Sequence, residues 1–197
     1  MVDTPLTERS VHLCVDMQRL FSEDGPWPTP WLERVLPAVV AIAERFPERT
    51  VFTRVIPPYR PEQMPGVWNA YYSKWRKATR EALDPHLVDL VPPLCDLVPP
   101  ATIMNKTRYS AFAFSSLARL LSSRHVDALV VTGAETDMCV LATVLGAIDR
   151  GYRVVIAEDA VCSFSDAGHD ALIRLYQQRF SVQIETATHE EILKSWR

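Results

Sequence analysis

The feature that most constrains this chain is a rhythm: short apolar runs alternate with amphipathic stretches for almost its whole length. The runs suit strands buried on both faces, and the stretches between them carry apolar residues at helical spacing. Together they describe βαβ units, hence an α/β fold with a doubly wound, mostly parallel six-stranded sheet and helices on both faces. His12–Asp16 (HLCVD) reads as the first strand, Trp31–Phe46 as the helix behind it and Thr50–Val55 as the second strand. Ala101–Lys106, Ala128–Gly133, Arg153–Glu158 and Val182–Thr186 supply the remaining strands. Helices are predicted over Ser115–Ser123, Asp137–Arg150 and Ser165–Arg179, and Thr188 with Glu191 makes a capping box for a last one. Between Ile56 and Pro100 prolines are dense and the rhythm lapses, which predicts an excursion carrying one short helix. Residues 1–197 are therefore expected to form a single domain around one core.

Charge excludes some functions. The 21 basic and 24 acidic residues are interspersed and give a formal net charge of −3, so no basic footprint for nucleic acid or anionic lipid is present. The opening MVDTPLTERS lacks a basic region followed by an apolar run, and no apolar stretch approaches the ~18–20 residues of a membrane span. A cytoplasmic protein with no membrane or nucleic-acid partner is expected. Cys14, Cys95, Cys139 and Cys162 are far apart and form no CxxC pair, which signals neither a disulfide framework nor a zinc site. Cys14 alternates along its strand with His12 and Asp16 and reads as a small buried hydrophobe, and Cys95 and Cys162 read the same way. None of His12, His86, His125, His169 and His189 has a ligand-like partner four residues on, so structural or surface roles are expected for them.

In open α/β sheets, sites form beyond the carboxyl ends of the strands, so the polar residues that close each apolar run carry the most information. Asp16 closes the first strand, Lys106 the third, and Cys139 follows the fourth in the first turn of its helix. A nearby ammonium and a helix N-terminus both favour a thiolate, which predicts a Cys139 pKa lowered by one or more units from roughly 8.5. A carboxylate such as Asp16 can take the thiol proton and later return it to a leaving amine. The segment GAETDMC (Gly133–Cys139) sets consecutive backbone amides around a tight turn, where main-chain donors can hold an oxyanion. Phe21, Tyr109 and Phe112 follow the catalytic strands closely and are candidates to line a pocket, as is Trp68. Trp68, Tyr71, Tyr72 and Trp75 form either a lid over a flat substrate or a packing surface for the core or another subunit.

VDMQ (Val15–Gln18), NKTRYSAF (Asn105–Phe112), GAETDMCV (Gly133–Val140) and DAVCSFSDAGHDALI (Asp159–Ile173) together resemble the isochorismatase-like cysteine hydrolase family, in the expected order and over nearly the whole chain. That resemblance implies a nucleophile after the fourth strand and carries the family's aspartate, lysine and cysteine onto Asp16, Lys106 and Cys139. It also implies a cis peptide between Ala134 and Glu135, which lets the backbone amides of Glu135 and Cys139 share an oxyanion hole, with Thr136 holding the turn. Glu135 and Asp137 read as supporting acids at the helix start rather than catalysts.

Family members that hydrolyse isochorismate lack the nucleophilic cysteine, so Cys139 points to covalent amide chemistry on a small molecule rather than vinyl ether hydrolysis. Nicotinamidase-like members bind a metal through an aspartate and histidines after the second strand, whereas FTRVIPPYRPEQMPGVWNAYYSKW (Phe52–Trp75) contains no histidine, so no metal or other cofactor is expected. Family habit implies a homo-oligomer, a dimer or tetramer. A lactam, ureide or carbamoyl group as the bond cleaved, and a non-catalytic binding role, are the competing readings.

Overall fold

The structure is a computed structural model that describes residues 2–197. Its elements run β1 (Ser10–Val15), α1 (Leu32–Arg45), β2 (Thr50–Val55), α2 (Val67–Lys74), α3 (Pro92–Cys95), β3 (Thr102–Lys106) and α4 (Leu117–Ser123). There follow β4 (Ala128–Ala134), a π-helical turn (Thr136–Val140), α5 (Leu141–Ile148), β5 (Arg153–Cys162), α6 (Asp166–Arg179), β6 (Ile184–Ala187) and α7 (His189–Ser195).

The six strands form one sheet in the order β3-β2-β1-β4-β5-β6, with every neighbouring pair parallel. Strand order reverses between β1 and β4, and this switch point opens a crevice at the carboxyl edge. β1 lies at the centre and buries every one of its residues, the polar Ser10 and His12 included. Alternate side chains serve opposite faces. Cys14 packs in the layer beneath α1 and α7, while Val11, Leu13 and Val15 pack in the layer beneath α4, α5 and α6. The buried His12 ties three strands together, with Nε2 2.8 Å from Thr132 Oγ1 and Nδ1 3.2 Å from Thr50 Oγ1.

Several element boundaries differ from the sequence reading. The helix expected over Asp137–Arg150 is two pieces, because the chain is underwound into the π-helical turn before α5 begins at Leu141. β5 continues past Glu158 to Cys162, and its pairing with β4 slips between Val131 and Gly133. The last strand starts at Ile184, since Val182 is 96% exposed and has no sheet to join. Cys95 is exposed at the end of α3 rather than buried, its Sγ 3.3 Å from the Leu90 carbonyl. Cys14 and Cys162 are buried. Among the described residues, no helix is long and apolar enough to cross a membrane.

Gly133 explains how the end of β4 comes so near β1. It has φ +110°, and a Cβ there would lie 2.0 Å from the Val15 carbonyl oxygen. Only glycine permits that approach, which delivers the following turn to the end of β1.

Candidate active site

Asp16, the residue after β1, stands in the left-handed region with φ +51°, a conformation an aspartate tolerates better than most residues. Thr53 of β2 fixes it twice: its hydroxyl accepts from the Asp16 backbone N–H at 3.1 Å and donates to Asp16 Oδ1 at 2.6 Å. Lys106 closes β3 and has no exposed side-chain surface; its Nζ lies 2.6 Å from Asp16 Oδ2. The same nitrogen donates to the Arg108 carbonyl at 2.9 Å and reaches Cys139 Sγ at 3.3 Å. An ammonium has three protons, and these three partners account for all of them. One cation thus bridges a carboxylate and a thiol.

Cys139 lies in the π-helical turn and is 6% exposed. The peptide bond between Ala134 and Glu135 is cis, and the Glu135 carbonyl accepts from the backbone N–H groups of Met138 at 3.0 Å and Val140 at 3.1 Å. Side chains brace the turn from α6 and the end of β5: Thr136 Oγ1 lies 3.0 Å from His169 Nδ1, and Ser163 donates to the Asp137 carboxylate. His169 therefore belongs to the support of the turn, and its interior position pushes its pKa down, keeping it neutral.

The electrostatics correct one expectation. Burial pushes the Cys139 thiol well above its ordinary range; Lys106 pulls it back and the Asp16 carboxylate pushes it up again. A thiol held below its usual pKa is therefore not what the fold provides, because burial outweighs the pull of Lys106, which Asp16 also offsets. Burial alone would lower Lys106, but Asp16 and then Cys139 outweigh it and hold the ammonium above its ordinary value. Glu135 is raised to about 7, first by burial and then by Asp137, against a hydrogen bond from the Phe164 backbone.

Cys139 forms the floor of a narrow cavity of about 40 Å³. Phe21, Trp68 and Tyr109 line it, as sequence position suggested, and so do Trp27, Tyr71, Tyr72, Arg108 and Glu135. The Trp68 and Tyr109 rings lie 4.8 Å apart, and the Arg108 guanidinium sits 5.2 Å from both Trp68 and Phe114. The aromatic face of α2 is thus a wall of this cavity. Phe112 is not. It stacks on Tyr152 at 6.0 Å and packs in the apolar layer with α5, because the chain turns inward where the Ala111 N–H donates to Thr143 Oγ1. Thr53 and Trp27 escaped the sequence reading: Thr53 is an ordinary strand residue until β1 and β2 are paired, and Trp27 lies in a proline-flanked loop with no periodic signal. Among the described residues, no three His, Cys, Asp or Glu side chains are grouped to hold a metal ion.

The isochorismatase domain profile covers residues 10–188. The chain belongs to the isochorismatase family. It is 38% identical over 81 residues to an isochorismatase family protein, PncA, of Bacillus subtilis (strain 168), covering 41% of this chain and 44% of that one. It is 39% identical over 59 residues to N-carbamoylsarcosine amidase of Arthrobacter sp, covering 30% of this chain and 22% of the amidase. These alignments span less than half of either relative. In structure it is similar to a cysteine hydrolase of Pseudomonas syringae pv. phaseolicola 1448A, with a TM-score of 0.83 over 98% of both chains at 20% identity. At that identity the likeness shows the shared isochorismatase-like fold: a parallel six-stranded sheet flanked by helices.

Proposed function

We propose that this isochorismatase-family protein is a cysteine hydrolase that cleaves a small amide-like C–N bond through a thioester on Cys139. The observation that carries the reading is the buried ammonium of Lys106, 2.6 Å from Asp16 and 3.3 Å from Cys139, beneath an aromatic cavity. The resting thiol is neutral, so its proton must leave as the bond to carbon forms, and Asp16 is the base within the same cluster. Cys139 Sγ attacks the carbonyl carbon while Asp16 takes the thiol proton, and the backbone amides of Glu135 and Cys139 hold the oxyanion. Asp16 returns that proton to the departing nitrogen, the C–N bond breaks and an amine or ammonia leaves. Water then attacks the thioester with Asp16 as base, which releases the acid and restores the thiol. Lys106 stays charged throughout and holds the carboxylate in place through its 2.6 Å contact with Asp16 Oδ2. Its partner count leaves it no spare proton to donate.

The similarity to an amidase supports the choice of bond, and the aromatic lining supports a flat, small substrate. Ammonia release from a panel of small carboxamides tests it. Wild-type protein is expected to turn over at least one, and Cys139→Ser and Asp16→Asn are each expected to lose about 10²–10⁴-fold in kcat. Activity that survives in Cys139→Ser would overturn the reading.

A further inference from the structure

The cavity above Cys139 is too small for a whole substrate. Its 40 Å³ admits little beyond the reacting carboxamide, since a single water needs roughly 10–15 Å³ by the same kind of measure. Beside it lies a second chamber of about 370 Å³, and the two share Trp27, Tyr71, Glu135 and Met138 as a common wall. A molecule with its reacting end on Cys139 would reach that chamber by extending past Glu135.

The chemistry of the second chamber is one-sided. Trp27, Tyr71, Trp75 and Phe164 supply aromatic surface, Glu135 and Asp137 supply two carboxyl groups, and no lysine, arginine or histidine lines it. Asp137 is engaged by Ser163 and packs against Gly168, whereas no salt bridge reaches Glu135 from any described residue. Lys74, which stacks on Trp75 at 5.9 Å, is exposed and makes no ion pair with either acid. Arg108 lines only the cavity above Cys139, where its guanidinium is committed to the Trp68 and Phe114 faces and the Thr107 carbonyl. A half-buried carboxyl without a countercharge, walled by aromatic faces, is the combination that recognises an organic cation. Burial first and Asp137 second raise the Glu135 pKa to about 7, and a cation bound beside it would act against both.

We infer that the second chamber is a substrate subsite for a protonated amine, so that the preferred substrates are small carboxamides bearing a cationic group one ring's length from the scissile carbonyl. This rests on the amide-hydrolase reading for the substrate's reacting end, but the subsite itself is testable by binding alone.

Calorimetric titration at about pH 8, where Glu135 is ionised and benzylamine is still charged, compares benzylamine with benzyl alcohol and benzoate as probes. Benzylamine is expected to bind at least about tenfold more tightly than benzyl alcohol, and benzoate to bind most weakly. Glu135→Gln should erase the preference, and Trp75→Leu, on the far wall, should reduce it several-fold. Because the readout is a ratio of probes within one variant, general damage to the protein cancels. Equal binding of the amine and the alcohol, a ratio unchanged in Glu135→Gln, or no binding of any probe overturns the subsite. Ammonia release then separates the two readings. Selective amine binding without turnover of 4-(aminomethyl)benzamide keeps the subsite and removes the hydrolase. Turnover of that amide and its hydroxymethyl analogue at equal kcat/KM keeps the hydrolase and removes the subsite.

Discussion

At the scale of single residues, the cluster of Asp16, Lys106 and Cys139 is governed by how one ammonium divides its attention. Lys106 lies closer to Asp16 than to Cys139, and burial, with Asp16 adding to it and Lys106 opposing it, leaves the thiol protonated. Removing the carboxylate frees that ammonium for the sulphur. Asp16→Asn is therefore expected to speed alkylation of Cys139 by iodoacetamide near neutral pH, even as it abolishes turnover; slower labelling, mapped by peptide mass spectrometry, would show that Asp16 generates a resting thiolate instead. Glu135 gives a second residue-level expectation. Its pKa rises from 4.5 to about 7 on folding, so between these values the folded protein holds a proton that the unfolded chain has released. Its stabilising contribution is full below 4.5 and is lost as pH rises through 7. Glu135→Gln, neutral throughout, should then melt higher than wild type at about pH 8 and nearly equal to it at acid pH, and a lower melting temperature at pH 8 would contradict this. Sequence position was enough to single out the three clustered residues, since Asp16 and Lys106 close apolar runs and Cys139 stands at the helix start after another. It could not reveal how deeply Cys139 is buried, and so the direction of the thiol's pKa was misread.

At the scale of elements, the site depends on two features of the β4 end. One is the contact of Gly133 with the Val15 carbonyl, and the other is the π-helical turn that follows. Gly133→Ala sets a Cβ against backbone that cannot yield and leaves alanine at positive φ. It is expected to cost at least about 3 kcal/mol, which for a chain of this size lowers the melting temperature by roughly 6–12 °C. A melting temperature within a degree of wild type would show that β4 can retreat from β1. Strands such as Thr50–Val55 were legible because a run of apolar and β-branched residues has little else to do. The turn was not, because Asp137–Arg150 carries a continuous helical pattern and only tertiary packing on His169 and Ser163 marks where its start is underwound. Phe112 failed for a related reason: closeness in sequence to Lys106 says nothing about which way the chain turns after Tyr109.

At the scale of the whole molecule, the strand order places β1 and β4 side by side at the switch point, with β3 two strands away. Three side chains from distant parts of the sequence converge there because the long Lys106 side chain spans the width of β2 to reach Asp16. The excursion between β2 and β3, structureless to a periodicity search, supplies through α2 the aromatic wall that closes the cavity over them. Fold and clustered side chains were thus written in the regular parts of the chain, and the aromatic wall over them in the irregular part. The central claim is a covalent intermediate on Cys139. Its most direct test is peptide mapping of wild-type protein acid-quenched during turnover of the best carboxamide found. The account predicts an acyl mass on the Cys139 peptide that hydroxylamine removes and that is absent from Cys139→Ser. Steady turnover with no acyl group on that peptide, and with Cys139→Ser as active as wild type, would contradict it.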